Sequence, residues 1–183
     1  MALESPAQPP PRLAAQHSNE QTHVFFLNTT QRQHCDMFEI EVYFFQVNLY
    51  WMDFNGSQDL FTTLPPGAGI KANTFVTHPW LFRDARTGER MHVKHQDIFW
   101  PQLYRVKNAG QWLPCRKLIA IHPPVTQSLR TRCLWRFSEL IYGKNDEFLL
   151  SLNLPRTLYN DVKSVLSLIE KHRSIGMGRR RNS

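Results

Sequence analysis

Trp51, Phe61, Thr74, His78 and Trp80 put three flat apolar rings, one hydroxyl and one imidazole into a single short stretch of chain. Side chains alternate across an extended strand, so His78 and Trp80 share a face. Thr74 and His78 do so too if the strand stays regular. Pro79 favours an edge or an irregular end. Rings flanking a hydroxyl and an imidazole suit a small ligand ring that bears one hydroxyl. The chemistry would be binding, with no bond made or broken. The same spacing arises when both tryptophans are sandwich core and His78 is a hydrogen-bonded histidine, and spacing by itself favours that plainer reading.

Catalytic patterns are missing. The chain has no G-x-S-x-G, P-loop, H-E-x-x-H or C-x-x-C. Glu39 and Glu41 are paired carboxylates, but on a strand they share one face and read as a solvated edge. His92 and His95 form an H-x-x-H pair. On a strand, residues at that spacing point to opposite faces, which argues against a shared metal. Cys35, Cys115 and Cys133 are odd in number and fit neither a disulfide framework nor a zinc site, so a reducing compartment is expected. The expectation is a non-enzyme with no metal and no cofactor.

Composition narrows the class further. The 183 residues are 42% hydrophobic and 12% aromatic, which suffices for a packed interior. Lys and Arg exceed Asp and Glu, giving a net charge of +7. Scattered basic residues without interleaved aromatics point to a solvated surface or an acidic protein partner rather than nucleic acid. No signal peptide is read at the N-terminus, and no apolar run approaches the ~20 residues that span a bilayer. A cytoplasmic and nuclear protein without membrane association is expected.

These residues need elements to hold them. Residues 1–16, with Pro9-Pro10-Pro11, read as a disordered leader. From His23 to His122, short apolar runs alternate with turn signals: Val24 to Leu27, Glu41 to Trp51, Ile70 to Val76, Trp80 to Arg83, Met91 to Val93, and Lys117 to Ile121. Asn55-Gly56, Pro66-Gly67 and Thr87-Gly88 are the turn dipeptides. Short strands at this spacing suggest a sandwich. After Pro123-Pro124 the period becomes helical: Leu129, Cys133, Phe137, Leu140 and Ile141, then Leu154, Leu158, Val162, Val165, Leu166 and Ile169. A short helix from Asp146 to Leu152 lies between them. Pro155 suits the first turn of the last helix, with Asn153 as its cap. The fold class is therefore α+β: an N-terminal β-sandwich over 17–125 and a small three-helix α domain over 126–174, followed by a basic tail, 175–183. So small a helical unit often lacks a self-sufficient core and finishes its packing against another protein.

The pieces Trp51-Met52-Asp53-Phe54-Asn55-Gly56, Leu64-Pro65-Pro66-Gly67 and Thr74 to Asp84, in this order and spacing, resemble the β domain of the von Hippel–Lindau tumour suppressor family. The resemblance runs from about residue 22 to about residue 172. It implies a pocket for hydroxyproline, with tryptophans at Trp51 and Trp80 and a histidine at His78. Thr74 stands where the family has a serine, Phe61 where it has a tyrosine, and the ligand backbone would bond the Asn73–Phe75 stretch. Residues 33–46 are an insertion relative to the family. The helical part matches too. Leu129, Arg132, Cys133 and Phe137 resemble the elongin-binding box, and Leu154, Pro155 and Leu158 a cullin box. By resemblance the chain would be the substrate-recognition subunit of an E3 ubiquitin ligase. Its partners would be elongin C with elongin B, a cullin-2 type scaffold with its RING protein, and prolyl-hydroxylated hypoxia-inducible factor α.

Two other readings stand beside this one. The second reading is a sandwich that presents Trp51 and Trp80 to a sugar or another peptide, although such a module would not need the helical part. A basic surface binding nucleic acid would show itself by a steep salt dependence.

Overall fold

The computed structural model describes residues 14–30, 46–124 and 127–179, side chains being described as far as Ser174. A three-stranded sheet runs in the order β10 (Lys117–Ile121), β1 (Gln21–Asn28), β4 (Gly69–Phe75). β1 is antiparallel to β4 and parallel to β10. The second sheet runs β3 (Gln58–Leu64), β2 (Val47–Met52), β5 (Trp80–Asp84), β6 (Arg90–Met91), and β7 (Ile98–Phe99) also pairs with β5. Val24, Phe26, Leu49, Phe82, Ile119 and Ile121 are buried between the sheets. The expected sandwich is present.

β1 alternates buried and less buried residues, as a strand with one face on the core does. β2 and β5 do not alternate, and are buried almost throughout. Their second face carries Tyr50, Met52 and Leu81, with Leu60 and Ile98 beside them. α3 covers part of it: His172 meets the Tyr50 ring edge-on and lies within hydrogen-bond distance of its hydroxyl, at 3.3 Å.

The helical part consists of α1 (Leu129–Ile141), α2 (Asp146–Ser151) and α3 (Arg156–Arg179). Ser128 caps α1 through Thr131 N, and Asn145 caps α2 through Phe148 N. Their apolar faces close around Ile141, Leu149 and Val162. Further ties to the sandwich are Gln127 to Glu89 (2.8 Å) and Arg86 to Glu139 (2.6 Å). Asp84 shapes the turn that carries Arg86: its carboxylate accepts from the backbone N–H groups of Arg86 and Thr87.

Several expectations need correction. Asn153 does not cap α3. It adopts φ 52°, and its N–H donates to Leu150 O, so it closes α2. Asn tolerates the left-handed region, and Leu154, preceding a proline, is steered away from helical geometry. Pro155 itself takes the cap position, its carbonyl accepting from Tyr159 N. Of the residues read as a leader, 1–13 lie outside the described residues and 14–16 are placed. Ala15 is buried and donates to Asp53 O, and Gln16 donates to Thr77 O. α3 runs past residue 174 to Arg179. Strand β2 begins at Val47. The rest of the expected Glu41–Trp51 run, including Glu41, lies outside the described residues, as do Cys35, Glu39 and the 33–46 insertion apart from Gln46. β3, β7, β8 (Arg105–Asn108) and β9 (Gln111–Pro114) are additional to the strands read from sequence.

Candidate functional site

β4 and β5 belong to different sheets, and the chain passes between them through Val76, Thr77, His78 and Pro79. Thr74 and His78 therefore do not lie along one strand. β4 ends at Phe75 and turns, with His78 N–H donating to Phe75 O at 3.1 Å. The regular-strand premise fails because Pro79 lacks a donor and the segment must cross a sandwich corner. The corner still gathers the residues singled out in the sequence.

Trp80 is buried, its ring against Phe26 of the core at 4.8 Å. Its indole Nε1 donates to Thr74 Oγ1 at 3.0 Å in a buried bond that joins the two sheets. The Thr74 hydroxyl keeps its own proton to donate. Trp51 on β2 is the cross-strand partner of Trp80 and is half-buried. Phe61 meets Trp80 edge-on at 5.2 Å. A β-bulge puts it there: Leu49 pairs with Thr62 and Tyr50 with Leu60, so Phe61 is the extra residue, and bulges re-aim side chains.

His78 is 8% exposed, and its Nδ1 is buried without a hydrogen-bond partner. Trp51, Phe54 and Phe75 surround its ring at 5.8, 5.1 and 5.4 Å. Burial first, and then the positive charge of nearby His17, hold its pKa below the ordinary histidine value. The imidazole is thus neutral at physiological pH, with one nitrogen able to accept. Together these groups can form one directed series: Trp80 N–H to Thr74 Oγ1, Thr74 O–H to a ligand oxygen, and the ligand O–H to His78.

Asn73 turns the other way, its Oδ1 within 2.9 Å of His23 Nδ1 on the sheet surface. The contribution open to it is therefore through its backbone. The β4 edge away from β1 pairs with no strand among the described residues, which leaves outward-facing backbone groups of Asn73 and Phe75 at that edge. Phe54 and His17 were not anticipated. They stack at 4.4 Å and add an outer wall beside His78. An exposed phenylalanine within the Asp53–Gly56 turn was the available signal for the first. Nothing in sequence pointed to His17.

Residues 13–107 match the family described as the VHL beta domain. The chain is also 32% identical over 176 residues to Protein Vhl of Drosophila melanogaster, covering 92% of this chain and 91% of that protein. The chain belongs to the von Hippel–Lindau family. The match runs from before β1 into β8, so every residue of the corner site lies inside the von Hippel–Lindau segment.

The helical candidates divide. Leu129 is 76% exposed, and Arg132 and Cys133 are exposed beside it on α1. Leu140 continues that face. Phe137 does not join it, because it packs into the helical core with Leu134 and Leu158. A bulky ring is retained inside, where a free helical face would leave it wet. Leu154 and Leu158 also pack on that core, while Pro155 is exposed.

His92 and His95 do not share a strand. The chain turns between Val93 and Gln96 with Lys94 and His95 at positive φ. Among the described residues no group of three or more His, Cys, Asp or Glu is placed to hold a metal ion, and no helix is long and apolar enough to cross a membrane.

Proposed function

We propose that this chain is the substrate-recognition subunit of an elongin–cullin–RING E3 ubiquitin ligase. In this reading the corner site takes the hydroxylated proline of hypoxia-inducible factor α and marks that protein for ubiquitination and proteasomal degradation. The observation that carries the reading is the buried, unpartnered Nδ1 of His78, walled by Trp51, Phe54 and Phe75, beside a Thr74 hydroxyl fixed by Trp80. Such a site is a polar filter. A proline without the hydroxyl leaves the His78 nitrogen without a partner and the Thr74 O–H without an acceptor, and discrimination of this kind can reach about 10⁴-fold.

The chain performs no covalent chemistry in this account. The pocket selects, and the helices bring the selected protein to the RING protein and its conjugating enzyme. The exposed Leu129–Cys133 face would seat elongin C together with elongin B. The segment around Leu154, Pro155 and Leu158 would face a cullin-2 type scaffold. A cytoplasmic and nuclear setting fits the unpaired, partly exposed Cys115 and Cys133.

The test is fluorescence anisotropy with a hydroxyproline degron peptide and its proline twin, using the chain co-expressed with elongins B and C. Strong preference for the hydroxylated peptide, lost in His78→Ala, is the expected result. Equal binding of both peptides would overturn the receptor reading.

A further inference from the structure

Basic residues gather without acidic neighbours in one internal segment of the chain. Between Asp97 and Glu139 the sequence holds seven basic residues and no acidic one. Outside that segment basic and acidic residues cancel, fifteen of each. Part of the excess lies on α1, where Arg130 pairs with Asp161 and Arg136 with Glu139. The rest is Arg105, Lys107, Arg116 and Lys117, and none of these four is paired with anything among the described residues.

Arg105 and Lys107 stand on an unusual element. β8 and β9 form a separate two-stranded sheet, and all eight of its residues are exposed. An isolated two-stranded ribbon is only marginally stable in water. This one wets Val106, Leu113 and Trp112, the last 64% exposed. Its turn also puts Ala109, a residue with a Cβ, at φ 46° ahead of Gly110 at 84°. Register assigns the faces. Val106 opposes Leu113 on one side, while Arg105 opposes Pro114 and Lys107 opposes Trp112 on the other. The ribbon is fixed at its base, where Cys115 N–H donates to Tyr104 O, and the chain then passes Arg116 and Lys117 into the edge strand β10.

We propose that this ribbon is a docking surface for an extended acidic peptide segment of a partner protein, distinct from the corner site. Arg105 and Lys107 are two residues apart on one strand, a repeat of roughly 6.8 Å. Carboxylates at alternate positions of an extended peptide have the same repeat. An aromatic or aliphatic side chain in line with them would lie on Trp112, the residue type that most often anchors an interface. Arg116 and Lys117 lengthen the cationic track. A single-stranded nucleic acid fits less well, because such sites stack successive bases on several aromatics, and this face offers one.

The full chain is titrated with a short fluorescein-labelled peptide alternating glutamate and threonine around a central phenylalanine, with its glutamine twin, and with an oligothymidylate of equal length. The glutamate peptide is expected to bind best. Arg105→Glu/Lys107→Glu should weaken it at least about tenfold, and Trp112→Ala about threefold or more. Arg116→Glu, outside both ribbon strands, should weaken it as well, so that fraying of the ribbon alone cannot explain the loss. Lys144→Glu/Lys171→Glu makes the same change in net charge elsewhere and should leave binding within about twofold. Equal binding of the glutamine twin, equal loss in the Lys144/Lys171 pair, or tighter binding of the oligothymidylate would each overturn the proposal.

Discussion

At Thr74 one hydroxyl has two tasks. It satisfies the buried Trp80 indole, and in the proposed function its own proton would go to the ligand. Thr74→Val keeps the shape and removes both functions. The buried Trp80 N–H then lacks a partner, which costs roughly 1–3 kcal/mol. The expected outcome in urea denaturation is a loss of that size, with hydroxyproline preference abolished in the peptide assay. Thr74→Ser keeps donor and acceptor and should retain the preference. Sequence named Trp51, Phe61, Thr74, His78 and Trp80 by residue type. It could not see that Phe61 reaches Trp80 through a bulge, nor that His17 and Phe54 close the wall around His78. Both are cross-chain placements, and no local spacing encodes them.

At the scale of elements, α1 divides its residues between an exposed side and the helical core. Leu129 is exposed, so Leu129→Asp should leave the unfolding midpoint nearly unchanged while abolishing co-purification with elongins B and C, because the new charge would be buried unpaired in that interface. Retained co-purification would sink the assignment of this face. Phe137→Ala should behave in the opposite way, lowering stability first, since its ring lies in the helical core. Apolar patterns located α1 and β10 closely, and the short helix read over Asp146–Leu152 matches α2 to within a residue. β3, Gln58-Asp59-Leu60-Phe61-Thr62-Thr63-Leu64, carries too little alternation to be read, and β8 and β9 bury nothing that could leave a pattern.

At the scale of the whole molecule, the seam between sandwich and helices carries its own titration. His172 is 4% exposed against Tyr50, and burial, helped by Arg83 and Lys171, lowers its pKa to about 4 from the ordinary 6.5. Below pH 6.5 the unfolded chain takes up a proton that the folded chain refuses, so stability falls between about pH 6.5 and about 4. At 1.36 kcal/mol per unit the ceiling is about 3 kcal/mol. Asp84 and Glu89 at the same seam oppose this trend, since burial raises their pKa values and the folded state holds their protons more tightly. Comparing the native chain with His172→Gln by urea denaturation across that range isolates the histidine; a flatter profile in the variant is expected. Gly88 makes the seam possible. It sits at φ 78°, and a Cβ there would come within 2.2 Å of the His172 ring. Gly88→Ala should therefore cost about 1–3 kcal/mol. Part of that loss should be recovered in the Gly88→Ala/His172→Ala double variant, which keeps the strained φ but removes the clash.

The sequence by itself determined the α+β class, the order of sandwich and helices, the helix bounds to within a residue or two at most ends, and the types of the residues that meet at the corner. Those follow from periodicity, turn chemistry and family spacing, all of which are local along the chain. Only the tertiary structure decided that Thr74 and His78 meet at a corner between two sheets, that His78 Nδ1 is left dry and unpaired, and that α3 closes over Tyr50. It also decided that Arg105 and Lys107 stand on a ribbon whose eight residues are all exposed. These depend on which distant segments exclude water from one another, and burial is a property of the packed whole.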